Sequence, residues 1–233
     1  ENGLVEPRVP GRLDLETPAG KVSVSYTTEG RKVRTVCLTN VPSFLHSSGL
    51  TVECPELGGD LDFDVAYGGN FYAIFEPQAR YQGLEQFSAA DIIRISRVLR
   101  ERINRKYSFS HPEDERLSHM RHVMWTGTPH KEGSDGRNAV FYGDAAIDRS
   151  ACGTGTSSRM AQLAARGELA AGDEFIHESY IGSRFRGRVD SMVTVGDFPA
   201  IVPSIEGWAR VYGHNVITVD PEDDPLWEGF VVT

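Results

Sequence analysis

Residues 148–169 read DRSACGTGTSSRMAQLAARGEL, and this stretch decides how the rest of the chain is understood. Cys152 stands directly before Gly153 and Gly155, interleaved with the hydroxyls of Thr154, Thr156 and Ser157. A cysteine kept only for its size sits among Val, Ile and Leu, because a free thiol in a core behaves as a small hydrophobe. This one sits where a helix begins. The spacing of Met160, Leu163 and Ala164, with Ala161 and Ala165 beside them, predicts a helix over Thr156–Arg166, capped by Gly167. So few polar positions imply burial on most sides, with the helix mouth aimed from inside the domain at whatever Cys152 faces.

That mouth has a definite chemistry. Its first amides lack intrahelical acceptors and favour an anion. The same field favours thiolate over thiol, which predicts a Cys152 pKa below its usual value of about 8.5. Gly153 and Gly155 let backbone amides approach a ligand closely, and the neighbouring hydroxyls add donors. Asp148 is placed to receive a cationic group. Together these residues suit a zwitterion with its anion on the amides, its cation on Asp148 and its α-carbon beside sulfur. Rival readings fit less well. GTGTSS lacks the third glycine of a dinucleotide fingerprint, and a Walker A loop would need Gly-Lys-Ser/Thr. No local signature ties a histidine to Cys152 as in a cysteine hydrolase. His119 and His122 have helical ligand spacing, but RHVMW reads as strand and no third ligand follows, so no metal site is expected.

Composition agrees with a globular chain. The 233 residues are 39% hydrophobic, and 33 acidic against 24 basic residues spread along the chain argue against a nucleic-acid partner. No apolar run approaches the roughly 20 residues of a membrane span. Cys37, Cys54 and Cys152 form an odd set at unrelated spacings, which suggests neither a disulfide framework nor a metal knuckle and fits a reducing, cytoplasmic compartment. The four lysines offer no recognisable Schiff-base setting, so no pyridoxal phosphate is expected.

The remaining pattern is strand-rich. GKVSVSY and KVRTVCLTNV read as a hairpin turning at Glu29 and Gly30, with Cys37 and Cys54 as packed residues. Two β-rich pieces, 61–67 and 71–75, are split by Gly68, Gly69 and Asn70. Ser88 caps an amphipathic helix carried by Ile92, Ile95, Leu99 and Ile103, whose arginines face solvent. RHVMWTG, RNAVFYG, DEFIHESYIG, RFRGRVDSMVTV, PAIVPSI, GWARVYG and HNVITV read as further short strands, giving an α+β class with two principal helices.

The cysteine motif closely resembles the second catalytic motif of the proline racemase and 4-hydroxyproline 2-epimerase family. DVAYGGNFYAI, SRFRG and GWARVYGHNVITVDPEDDPLWEGF resemble that family too, so the similarity spans essentially the whole chain. Ala151 departs from the proline usual at that place. The resemblance implies cofactor-independent inversion at Cα by two cysteines on opposite faces of the substrate. It implies that Cys152 is one of them, that Asp148 holds the substrate ammonium and that the Gly153 and Thr154 amides hold the carboxylate. It also places Tyr142 as an aromatic wall, His122 as a polar ligand contact and Asn70 in a loop near the cleft.

The resemblance further implies two similar domains, each a curved sheet wrapped around a central helix. The partner cysteine of the family belongs to a CGHG motif that this chain lacks, and about a hundred residues are expected to be missing on domain size. Residues 1–205 are expected to form the second catalytic domain and 206–233 a return segment completing the first. The expected partners are proline or hydroxyproline and either a homodimer mate or a first-domain polypeptide. Dehydration of trans-3-hydroxyproline on the same fold, or a non-catalytic fragment, remain the alternatives.

Overall fold

A computed structural model describes residues 5–229. Six strands open the chain: β1 (Arg12–Thr17), β2 (Gly20–Glu29), β3 (Lys32–Thr39), β4 (Ser43–Cys54), β5 (Gly59–Tyr67) and β6 (Phe71–Phe75). Helix α1 (Ala89–Lys106) leads to β7 (Ser110–His111), β8 (Asp114–Ser118), β9 (Met120–Gly127), β10 (Gly136–Tyr142) and β11 (Ala146–Ile147). Helix α2 (Gly153–Ala165) is followed by β12 (Glu174–Ser179), β13 (Arg184–Val195) and β14 (Phe198–Gly207).

The main sheet closes on itself. In the order β14, β13, β12, β10, β9, β6, β5, β4, neighbouring strands are hydrogen-bonded, and β4 returns to β14 through Phe44 opposite Ala200 and Ser43 opposite Ile201. Helix α2 runs inside this ring, packed on β4, β5, β6, β13 and β14. Two parallel pairings, β6 with β9 and β10 with β12, need crossovers, and each crossover contains a helix. The first, α1, covers the outside of the ring; the second, α2, fills its interior. The structure is thus the α+β class with a curved sheet around a central helix.

Strand alternation sorts the two faces. Along β6, Phe71, Ala73 and Phe75 face outward into the core beneath α1, whereas Tyr72 and Ile74 face inward toward Cys152. Strand β9 repeats this with Val123 and Trp125 outward and Met124 inward, and β10 with Ala139 and Phe141 outward and Val140 inward. The predicted Ser88 cap of α1 is present as a full capping box with Asp91. Its arginines are less free than expected, since Arg97 and Arg100 donate to the backbone carbonyls of Asp144 and Gly143.

Strand β14 has two neighbours on one edge. Its early residues pair with β4, and Ser204–Gly207 pair with β3 instead. The antiparallel β1–β2–β3 unit therefore stands off the ring as a flange. The ring itself runs from Ser43 to Gly207.

The strands expected in GWARVYG and HNVITV are not formed. Residues 208–220 carry no strand, and Trp208, Tyr212 and Val216 are 66%, 90% and 98% exposed. The alternating pattern is real, but a strand exists only by pairing, and both edges of β14 are already taken by β13 on one side and β4 with β3 on the other.

Candidate active site

Helix α2 starts three residues earlier than its apolar spacing suggests, so Cys152 is itself the N-cap residue. Its backbone has φ 63° and ψ 113°, a left-handed conformation costing on the order of 1–3 kcal/mol for a residue with a Cβ. A network of short contacts holds it there. The carbonyl of Ala151 accepts from Asn138 Nδ2 at 2.9 Å and from Thr156 Oγ1 at 3.0 Å. The Cys152 amide donates to Ser150 Oγ at 3.0 Å, and that hydroxyl donates to Asp148 Oδ1 at 2.8 Å. Behind this loop lies buried His177, with Nδ1 2.9 Å from Thr156 Oγ1 and 3.0 Å from Asn138 Nδ2. Burial pushes its imidazole down to about 3, so it is neutral at physiological pH.

The β5–β6 turn abuts the same mouth. A Cβ on Gly68 would lie 2.4 Å from the carbonyl oxygen of Thr154 and 2.6 Å from the Ser158 amide, so only glycine admits the helix at this distance. Asn40 Nδ2 pins the arrangement by donating to the Gly68 carbonyl and to Ser157 Oγ, each at 2.9 Å.

These elements frame a cleft of about 500 Å³. Asp148, Cys152, Gly153, Thr154 and Asn70 form its polar side, while Leu15, Pro18 and Ala19 of the β1–β2 flange, with Leu38 and Ile205, form its apolar side. Asp148 Oδ1 is held by the amide and hydroxyl of Ser150, each at 2.8 Å. Its other oxygen accepts no hydrogen bond among the described residues. By position, the Gly153 and Thr154 amides have no carbonyl to reach within the helix.

The thiol differs from the expectation drawn from the helix mouth. Cys152 is only 8% exposed, and burial pushes its pKa up to about 11, with the Asp148 carboxylate adding in the same direction. Tyr72, which hydrogen-bonds the sulfur, and the nearby Gly155 amide and Thr154 hydroxyl act the other way without offsetting this. The helix field is present, but desolvation of a thiolate in a nearly closed site outweighs it. Cys152 therefore has no advantage in basicity over buried Cys54, which burial also raises to about 11.

Five of the seven residues expected at the site meet in the cleft: Cys152, Asp148, Gly153, Thr154 and Asn70. His122 lies one layer behind, its ring 4.9 Å from that of Tyr72 and its imidazole pushed down to about 4, first by burial and then by Arg100 and Arg121. Tyr142 shares the inward parity of Val140 but sits where β10 leaves the ring, 44% exposed and outside the cleft lining. The aromatic group beside the thiol is Tyr72, which sequence reasoning passed over. Its Oη lies 3.3 Å from Cys152 Sγ and 2.6 Å from Thr154 Oγ1. The alternation of 71–75 carries the signal, once it is known which face of β6 lines the helix.

Comparison with known proteins agrees with this geometry. The family described as proline racemase matches residues 1–231. The 4-hydroxyproline epimerase of Brucella suis and the 4-hydroxyproline 2-epimerase of Paracoccus denitrificans are each 57% identical over 232 residues, covering 100% of this chain and 69% of their own length. The crystal structure of a probable proline racemase from Agrobacterium radiobacter, with bound carbonate, superposes with a TM-score of 0.89 at 34% identity, over 99% of this chain and 67% of that one. A hydroxyproline epimerase from Agrobacterium vitis, with bound trans-4-hydroxy-L-proline, gives 0.88 at 32% identity, over 99% and 65%. A phenazine biosynthesis protein of the PhzF family from Bacillus anthracis shares the fold at 14% identity and a TM-score of 0.57. With a glycine-flanked thiol at a buried helix mouth and this family match along nearly its whole length, the chain belongs to the proline racemase family.

Proposed function

We propose that this chain carries one half of an α-carbon inversion site for 4-hydroxyproline or proline, making it an isomerase component that works without a cofactor. The observation that carries the reading is the convergence of Cys152, Asp148 and the first amides of α2 on one cleft. A zwitterionic imino acid fits with its carboxylate on the Gly153 and Thr154 amides and its ammonium on the open oxygen of Asp148. Its ring then lies against Leu38, Ile205 and the flange. Cα comes to the thiol, which takes or returns the α-proton. An ammonium beside Asp148 also neutralises the charge that raises the thiol, so substrate binding itself favours thiolate.

Inversion needs an acid and a base on opposite faces of Cα. Among the described residues the cleft contains one thiol; Cys37 lies on β3 opposite Ser25 and Glu206, and Cys54 in the core beneath α1. The opposing group is assigned to a first-domain segment, in the same protein or as a separate polypeptide. In this reading the ring around α2 is one catalytic half and residues 208–229, which add no strand to it, return to the other. The three free thiols fit a cytoplasmic setting.

Chiral chromatography of trans-4-hydroxy-L-proline and L-proline tests the reading. The chain with a first-domain polypeptide carrying the CGHG motif should invert Cα, and the chain alone should not. Robust inversion by the chain alone would contradict the one-thiol account, and loss of the ring hydroxyl in place of inversion would contradict an epimerase.

A further inference from the structure

The Tyr72 hydroxyl is enclosed with two partners. The residue is 1% exposed, and its Oη lies 3.3 Å from Cys152 Sγ and 2.6 Å from Thr154 Oγ1. Its ring is fixed by β6 and by a tilted contact with the His122 ring, centroids 4.9 Å apart. Each hydroxyl has one hydrogen to give and lone pairs to accept with, whereas a thiolate only accepts and a thiol can donate. The contacts therefore admit two consistent arrangements. With Cys152 as thiolate, Thr154 donates to Tyr72 and Tyr72 donates to sulfur. With Cys152 as thiol, sulfur donates to Tyr72 and Tyr72 donates to Thr154.

We propose that Tyr72 is a catalytic residue whose hydroxyl, paired with that of Thr154, forms a reversible hydrogen-bond switch matching Cys152 in both of its protonation states. The proposal rests on the reading that Cys152 cycles between thiol and thiolate. No proton leaves either oxygen: two O–H bonds rotate, the heavy atoms stay, and the only proton gained or lost is the one sulfur exchanges with the substrate. A neutral hydroxyl suits a group that must both take and return a proton, since a lysine or arginine here would hold sulfur as thiolate. The surroundings keep Tyr72 neutral. Burial, Cys152 and the Asp148 carboxylate all oppose its ionisation. His122, the titratable group whose ring meets it from β9, is uncharged at neutral pH. Ala66, Met124 and Val140, from β5, β9 and β10, bring no charge.

The experiment is the pH profile of Cys152 alkylation by iodoacetamide, resolved by peptide mass spectrometry on this chain. Wild type is compared with Tyr72→Phe, which keeps the ring, and with Thr154→Val and Thr154→Ser. Tyr72→Phe should slow alkylation about tenfold at fixed alkaline pH, equivalent to one unit of thiol pKa. Thr154→Val should slow it by a smaller factor, and Thr154→Ser should restore the wild-type profile. Should Tyr72→Phe not fold, the Thr154 pair decides alone: a shift with Val and none with Ser supports the switch. A folded Tyr72→Phe with an unchanged profile, or Val and Ser both matching wild type, overturns it. No imino acid enters these measurements, so their failure is separate from failure of the substrate reading.

Discussion

Asn138 Nδ2 lies 2.9 Å from the carbonyl oxygen of Ala151 and 3.0 Å from each ring nitrogen of His177, tying the floor of the ring to the residue that precedes the thiol. Asn138 is 1% exposed and His177 is equally buried, so neither contact can be replaced by water. Asn138→Ala leaves these groups short of a donor, which should cost about 1–3 kcal/mol. A lowered melting temperature with intact secondary structure by circular dichroism is the expected result. An unchanged melting temperature would mean that the Thr156 bond alone holds the loop.

His177 and His122 predict a dependence of stability on pH. Their imidazoles titrate at about 3 and about 4 in the folded protein, against an ordinary 6.5. The unfolded chain binds more protons than the folded one between those values, so their contribution is complete above pH 6.5 and is lost as the pH falls toward 3. For His177 the ceiling is roughly 5 kcal/mol. Between pH 6.5 and 4.5 the carboxylates are still mainly ionised, so urea denaturation in that window isolates the histidines. His177→Gln should flatten the slope. A slope unchanged by that substitution would assign it elsewhere.

Gly155 and Gly153 should behave oppositely although they stand two residues apart. A Cβ on Gly155 would lie 3.0 Å from Cys152 Cβ, Cys152 Sγ and Met124 Cε, whereas one on Gly153 meets nothing within 4 Å. Gly155→Ala should cost about 1–3 kcal/mol by overpacking and shift the thiol. Gly153→Ala should leave the melting temperature unchanged or raise it slightly, since alanine favours the helix. Thermal denaturation of the two variants side by side checks this, and equal melting temperatures would contradict the placement of the thiol.

Asp148→Asn should separate two effects with opposite signs. The amide can still accept from Ser150, so folding is retained, but the charge-assisted contact to a substrate ammonium is lost, costing about 1.5–3 kcal/mol of binding. The same change removes a carboxylate that raises the thiol, so iodoacetamide should modify Cys152 faster at a given pH. Weaker inversion with faster alkylation is expected. Alkylation that slows would show that Asp148 does not act on the sulfur through its charge.

Much of this site was readable before any coordinates. The glycines and hydroxyls after Cys152 marked a helix mouth, and Asp148 marked the seat for a cation beside it, because both signals are local. What escaped was tertiary. The sign of the thiol shift depends on how fully the ring and flange enclose Cys152, and no spacing in 148–169 reports that. Tyr72 was hidden because its strand is apolar on both faces, so alternation gave no hint of which face lined α2. The segment 208–220 misled for the reverse reason: its pattern is that of a strand, while both edges of the adjoining β14 are taken by β13 on one side and by β4 with β3 on the other.

The central claim is that Cys152 exchanges the α-proton during inversion. The most direct measurement is mass spectrometry with chiral chromatography of trans-4-hydroxy-L-proline incubated in D₂O with this chain and a first-domain polypeptide carrying the CGHG motif, comparing wild type and Cys152→Ala. The account predicts epimerised product carrying deuterium at Cα with wild type, and a loss of more than about a thousandfold in that product with Cys152→Ala, since general acid–base groups contribute roughly 10²–10⁴-fold. Deuterated epimer formed by Cys152→Ala at a rate close to wild type would contradict it.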